Sequence, residues 1–436
     1  MADDAGGRRG AERRIGWAKL MARAKQILTT DPTGTDADDD VVADAGAAAL
    51  AREAARHRGG LAKVAQRRAY QAGADADVGR AGREQLATLW DQVPPISAAA
   101  TSAVVAAELG RAPGALFATW EATPIAAASL GQVHAATDGD GARWAVKVQY
   151  PAVADALRAE LASTSFVRTL AGAELGGHLD DAALATVRTA ITAELDYREE
   201  AEGLRRFATA WADDPVIRIP AVDLARSSAR VLTMARAPGT PLARWRGSTE
   251  ATAVVATAIA RFAWGSPLAH GILNIDPHPG NFLVEDAALG PRLWCLDFGG
   301  HLALPDEVVA ADREIWWGLV DDDVFRGAER FRLGLARVGL LARTDRLATS
   351  AHRAWEQLLA APLAPGGMAW TPAYAEALAA QFAEVMAAGA VSVPASVVML
   401  WRQRLGVAAV LGRLGATVDG RAVVVGLIGR GLGALR

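Results

Sequence analysis

The sequence predicts an α+β fold of two lobes, a small one carrying a β-sheet and a larger, mainly helical one, with a helical extension in front. Three observations predict it. Trp144-Ala-Val-Lys-Val-Gln149 and Arg230-Val-Leu-Thr-Met234 are short β-prone runs, closed by the turn signals Tyr150-Pro151 and Pro238-Gly239. Between them, Val153 to Ala171 and Ala182 to Phe207 have apolar residues at helical spacing. At 436 residues the chain also exceeds the roughly 100–200 expected of one domain.

Taken in order, residues 1–45 are rich in Gly, Ala, Asp and Arg and contain Asp36-Ala-Asp-Asp-Asp40, which reads as a tail outside the fold. Residues 46–115 form the helical extension, with breakers at Gly59-Gly60, Pro94-Pro95 and Gly110. The small lobe takes 116–236 and the large lobe 237–436. The large lobe is mostly helical, interrupted by short apolar segments around Asn281-Phe-Leu-Val284 and Leu293-Trp-Cys-Leu-Asp297.

Composition narrows the function. Hydrophobic residues make up 51% and charged residues 22%, with a formal net charge of -3, which argues against a nucleic-acid binder with its basic stripe. Cys295 is the single cysteine, so neither an internal disulfide nor a cysteine zinc site can form, and a reducing cytoplasm fits. No apolar stretch of signal-peptide type follows Met1. Ala251 to Trp264 is broken by Arg261, and Ala390 to Leu400 is short and contains Pro394, so no membrane span is expected. Peripheral attachment to a membrane stays open.

The sharpest local signal is Asp276-Pro-His-Pro-Gly-Asn281, followed sixteen residues later by Asp297-Phe-Gly299. Each segment alone is also an ordinary turn. Together they have the spacing that phosphoryl transfer uses: an Asp that takes or orients the acceptor proton, an Asn five residues on that holds Mg²⁺, and a second Asp on the metal that bridges nucleotide phosphates. Upstream, Lys147 in Ala-Val-Lys-Val matches a strand lysine aimed at the α- and β-phosphates. Glu194-Leu-Asp196-Tyr-Arg-Glu199-Glu200 reads as an acidic helix on which Asp196 and Glu200, four apart, share a face while Glu194 is turned away. The order Lys, acidic helix, Asp-x-x-x-x-Asn and Asp-Phe-Gly, at lobe-sized gaps, decides for the chemistry.

These residues resemble the UbiB/AarF class of atypical protein-kinase-like proteins, to which the mitochondrial coenzyme Q kinases belong. The resemblance rests on Ala126-Ala-Ala-Ser-Leu-Gly-Gln-Val-His134, Val146-Lys-Val-Gln-Tyr-Pro151, Glu194-Leu-Asp196, Asp276-Pro-His-Pro-Gly-Asn281 and Leu296-Asp-Phe-Gly299, and covers roughly Leu61 to Leu414. It implies a bilobal protein-kinase-like fold that binds ATP and Mg²⁺, with an Ala-rich loop including Ala126, Ala127, Ala128 and Ser129 where ordinary kinases have a Gly-rich one. The family's Lys-x-Gly-Gln motif has its nearest match in Lys63-Val-Ala-Gln66, with Ala65 in place of Gly. The resemblance implies a Lys63–Glu194 pair and a Lys147–Glu200 pair, with Gln66 approaching the phosphates or the metal. Which acid serves which lysine stays open.

Two further departures matter. Asn274 stands where His commonly precedes the catalytic Asp by two, and no Ala-Pro-Glu follows Asp297-Phe-Gly299, since Gly300-His301-Leu302 leads to a helix near Pro305. The expected activity is a Mg²⁺-dependent phosphotransferase or ATPase acting on a small molecule or isoprenoid lipid. A nucleotide-binding regulatory scaffold and an aminoglycoside- or choline-type phosphotransferase are the alternatives.

Overall fold

The computed structural model describes residues 96–128, 130–165, 167–168, 181–341, 350–389 and 393–431, all within one compact unit. The 1–45 tail, most of the 46–115 extension, Lys63, Gln66 and Ser129 lie outside the described residues.

Helix α1 (Ala98–Leu109) is capped by Ser97, whose hydroxyl accepts from the Ala100 amide, and ends at Gly110 in the left-handed region. The single turn α2 (Pro113–Leu116) leads into β1 (Thr119–Trp120), β2 (Ala126–Ala128), β3 (Gly131–Thr137) and β4 (Arg143–Gln149). With β6 (Val231–Ala235) these make an antiparallel sheet of order β1-β3-β4-β6, with β2 paired to β3. Period-two alternation along β4 sets its faces. Trp144, Val146 and Val148 pack with Val104 and Val105 of α1, Phe117 and Val231 in the core of this sheet. Lys147 is thereby turned to the opposite face.

Arg226 locks the far edge of the sheet. Its Nη1 and Nη2 donate to Asp138 at 2.6 and 2.9 Å, its Nε donates to Asp223 at 2.7 Å, and its guanidinium lies 4.7 Å from the rings of both Phe117 and Trp144.

After β4 come α3 (Pro151–Leu161), with proline at its first position, α4 (Asp181–Ala193) and α5 (Tyr197–Ala210). The single acidic helix expected across Glu194–Glu200 is two helices. Asp196 caps α5, accepting from the Arg198 amide at 3.0 Å and from the Arg198 guanidinium at 2.6 Å. A short carboxylate competes for backbone donors better at a cap than inside a helix, so the chain breaks there. Asp196 and Glu200 consequently do not share a helical face.

The remainder is mainly helical, as expected. A four-stranded sheet of order β5-β10-β9-β7 joins β5 (Ile217–Arg218), β7 (Thr240–Pro241), β9 (Phe282–Ala287) and β10 (Gly290–Cys295). Helix α6 (Thr249–His270) is capped by Ser248 and stopped by Gly271 at φ 63°. The two-stranded ladder β8 (Ile272–Asn274) with β11 (His301–Ala303) follows. Then come α7 (Asp306–Val320), starting at Pro305, α8 (Val324–Arg337), α9 (Ser350–Ala360), β12 (Met368–Ala369), α10 (Pro372–Gly389), α11 (Ala395–Leu414), β13 (Thr417–Val418) and α12 (Gly420–Gly431). Inside this body Arg404 of α11 and Asp312 of α7 form a buried two-bond ion pair at 2.5 and 2.7 Å, with the guanidinium against Trp316 and Trp401. No helix among the described residues is long and apolar enough to cross a membrane.

Candidate functional site

Three elements meet at Lys147. Its Nζ donates to both oxygens of Glu200 in the first turn of α5, at 2.9 and 2.8 Å, and lies 3.6 Å from Oδ2 of Asp297 and 5.0 Å from the ring centre of Tyr197. Lys147 is 6% and Glu200 2% exposed, so the pair sits out of water. Burial alone lowers a lysine pKa. Here Asp297 and Glu200 outweigh it, and the ammonium is held above the ordinary lysine range. Burial pushes the neighbouring Tyr197 phenol upward.

Asp297 and Asp276 are brought together by β8 and β11, whose register pairs Asn274 with His301. Asp276 follows β8 by two residues and Asp297 precedes β11 by four. The Ile275 amide donates to Gly300 and the Leu296 amide to Asn281, both at 2.9 Å, so the two loops are laced together. Asn274 ties them through its side chain: its Nδ2 donates to the Asp297 carbonyl at 3.0 Å, and its Oδ1 accepts from the Asp276 amide at 3.0 Å. An amide both donates and accepts without a charge, which gives the departure at Asn274 a positioning function. The Asn281 Nδ2 donates to the Asp276 carbonyl at 3.1 Å, leaving its oxygen for another partner, and Asp297 Oδ1 accepts from Gly299 at 3.0 Å.

The helix break puts Glu194 in the turn before α5, 7% exposed, where its Oε1 would stand 3.7 Å from a Cβ on Gly300. Glu200 Oε2 stands 3.5 Å from the equivalent point on Gly299. Two buried carboxylates thus flank the Asp297 loop. The Phe298 ring is buried, 4.6 Å from Phe207 of α5 and 6.2 Å from Phe262 of α6.

Ala126–Ala128 of the Ala-rich loop form strand β2, paired antiparallel with β3. Ala126 pairs with Val133, and Val133 with Lys147, so the alanines lie two strands, about 10 Å, from the lysine. Gly131 is required where this hairpin closes: a Cβ there would come within 2.3 Å of the Val148 carbonyl.

In the sequence Gln132 and His134 stand only as part of the Ala126–His134 motif. In the structure they fasten α1 to the sheet. Gln132 Nε2 donates to Thr101 and to His134 Nε2, both at 2.9 Å, its Oε1 accepts from the Ile96 amide at 2.9 Å, and His134 Nδ1 meets the Glu121 carbonyl at 2.8 Å. Two polar residues on the inward face of a strand were the available signal.

Residues 88–330, more than half of the chain, match the ABC1 atypical kinase-like domain. The mitochondrial atypical kinase COQ8 of Saccharomyces cerevisiae is 30% identical over 213 residues, 49% of this chain and 42% of that protein. The mitochondrial atypical kinase COQ8B of Rattus norvegicus is 31% identical over 50% of this chain and 42% of its own length. The probable protein kinase UbiB of Xanthomonas axonopodis is 30% identical over 52% and 44%. The chain thus spans less than half the length of these curated relatives. A Mycobacterium tuberculosis protein solved in complex with erythromycin aligns with a TM-score of 0.61 and 25% identity, over 96% of this chain and 99% of that one. With a kinase-like α+β fold and these relatives, the chain belongs to the ABC1 (UbiB/AarF-type) family of atypical kinase-like proteins.

Proposed function

We infer that this chain binds ATP with Mg²⁺ and is a phosphotransferase or ATPase acting on a small-molecule or lipid acceptor. The observation that carries the reading is the buried Lys147, paired with Glu200 and 3.6 Å from Asp297. A cation held this firmly, in reach of a carboxylate that is 34% exposed, is built to receive a polyanion. Asp297 and the free oxygen of Asn281 are hard donors of the kind Mg²⁺ takes alongside phosphate oxygens and water. When bound, the metal would neutralise charge between the phosphates.

In this reading Lys147 orients the α- and β-phosphates, Glu200 holds Lys147, and Ala126, Ala127, Ala128 and Ser129 cover the nucleotide. Asp276 orients an acceptor hydroxyl or a water. Most of the rate enhancement is positioning and electrostatics. Lys63, Gln66 and Glu194 are assigned to the same nucleotide function by the family resemblance, the first two lying outside the described residues. The small-molecule acceptor is supported by the relative solved with erythromycin. A cytoplasmic setting, with peripheral membrane contact open, is part of the same reading.

The test is nucleotide-dependent thermal stabilisation. ATP should stabilise the wild type only with Mg²⁺, and Asp297→Asn should lose most of that effect. Equal stabilisation with and without Mg²⁺, in both proteins, would remove Asp297 and the metal from the site.

A further inference from the structure

A cavity of about 500 Å³ opens between the segment leading into α6 and the end of α11. Small-molecule sites commonly measure roughly 300–1,000 Å³. Its lining includes the apolar Trp245, Val410 and Leu414 and two arginines, Arg413 and Arg246, the latter held in place by Nη1 donating to the Ala243 and Trp245 carbonyls at 3.1 and 2.7 Å, which leaves its Nη2 and Nε for a ligand. No carboxylate is among the described residues that line it. The Trp245 wall is fixed: its Nε1 donates to Asp286 at 3.1 Å, and Gly247 packs so close that a Cβ would meet the indole at 2.2 Å.

The cavity also shares a wall with the Asp276–Asn281 loop, because Pro279 lines it. Helix α11 presses on the same loop, where a Cβ on Gly406 would stand 2.8 Å from Pro277. His278 lies between these prolines. Burial lowers its pKa; the carboxylates of Asp276 and Asp297 oppose that, and the positive charge of Arg413 adds to it.

We propose that this cavity binds a small amphiphile whose anionic head pairs with Arg246 and Arg413 while its apolar body lies on Trp245, Val410 and Leu414. Guanidinium groups favour phosphate and carboxylate through charge-assisted hydrogen bonds. An indole beside aliphatic side chains favours a hydrocarbon chain or ring. Under the reading of Asp276 given above, the occupant touches the loop that carries the catalytic carboxylate, through Pro279. Its binding does not depend on that reading and is measured without nucleotide.

The experiment is calorimetric titration of the full chain with monododecyl phosphate below its critical micelle concentration. Dodecyl maltoside tests the tail without the charge, and inorganic phosphate tests the head without the tail. One saturable site is expected for monododecyl phosphate, with much weaker binding of the other two. The double variant R246Q/R413Q should bind it at least about tenfold more weakly, the scale of losing charge-assisted hydrogen bonds. Both arginines are exposed, so the variant should fold, which thermal unfolding checks. Thr252→Phe, which fills the cavity, should also abolish binding and serves if the double variant does not fold. Absence of binding to the wild type, equal affinity in the variants, equal affinity for the maltoside, or phosphate binding as tightly as the amphiphile would each overturn the assignment. A failure here leaves the nucleotide site untouched, and a failure of Mg²⁺-dependent ATP binding leaves this cavity untouched.

Discussion

Gly203 of α5 and His301 of β11 approach so closely that a Cβ on the glycine would stand 2.8 Å from Nδ1 of the imidazole. The same Cβ would be 2.9 Å from the Phe298 carbonyl, which is backbone and cannot swing aside. The imidazole is itself fixed to that carbonyl by a 2.9 Å hydrogen bond. Gly203 lies three residues after Glu200, so the contact holds the helix that carries Glu200 against the loop that carries Asp297. In an ordinary helix Gly→Ala stabilises by about 0.5–1 kcal/mol. Here overpacking, about 1–3 kcal/mol, works the other way. Gly203→Ala should lower stability by about 1–2 kcal/mol in denaturant unfolding and weaken Mg²⁺-dependent ATP stabilisation. A more stable variant with unchanged nucleotide response would show that α5 and the loop are not coupled through this contact.

Glu200 supports a prediction with a pH signature. Glu200→Ala strands the buried Lys147, and breaking such a pair costs about 3–5 kcal/mol, with Asp297 at 3.6 Å keeping the loss near the lower end. The folded pKa of Lys147 is raised, so its stabilising contribution is complete below the unfolded lysine value of about 10.4 and is lost only at higher pH. The wild type should therefore draw the full contribution of the pair between about pH 7 and 9.5, and a gap that narrows with pH in this range reports the variant's Lys147, left with Asp297 alone against its burial, giving up its proton. A gap below about 1 kcal/mol at pH 7 would mean that the pair does not carry this stability.

Asp276→Asn separates binding from turnover. Its backbone amide is held by Asn274 and its carbonyl by Asn281, contacts that an amide side chain leaves in place. ATP affinity should stay within about twofold, while hydrolysis or transfer falls at least about a hundredfold, the usual scale for a lost general base. Single-turnover kinetics with ATP decide it, and an unchanged rate would take Asp276 out of the chemistry.

The readable parts of this protein were those whose physics is local. Asp276 and Asn281 stand five apart in one loop, and the alternation around Val146, Lys147 and Val148 already turns the lysine away from the valines. The two-lobed α+β kinase-like fold followed from the same strands and helices. What escaped was set by competition or by distance. The helix break at Asp196 depends on one carboxylate winning the Arg198 amide, which a face-counting rule on Glu194, Asp196 and Glu200 does not weigh. Strands β5, β7, β8 and β11 are two or three residues long, too short for any periodicity, and exist because a partner strand satisfies them. The cavity joins Arg246 to Arg413 across most of the large lobe, a proximity that only α11 packing beside the Pro277–Pro279 turn creates.

The network beneath the Ala-rich hairpin makes the remaining prediction. Gln132 Nε2 is an amide donor, so the His134 Nε2 it meets at 2.9 Å must accept, and the imidazole proton then resides on Nδ1, donated to the Glu121 carbonyl. Both ring nitrogens are satisfied only in the neutral form. A protonated ring would set its Nε2 proton against the Gln132 amide. Burial accordingly lowers the His134 pKa, with the Glu121 hydrogen bond opposing it. When a folded pKa lies below the unfolded value of about 6.5, the unfolded chain takes up the proton first, so stability falls as pH drops through that value and stops falling below the folded pKa. The loss should be felt where Ile96 and Thr101 hang from Gln132, at the start of α1. His134→Phe keeps an aromatic ring against Trp120, which stacks at 4.8 Å in the wild type, and removes the titration. The variant should be less stable at about pH 7.5, because Gln132 loses an acceptor, and should give up less stability than the wild type on going to about pH 5.5. Denaturant unfolding at the two pH values measures this. Equal acid slopes in the two proteins would mean His134 protonates without disturbing the network.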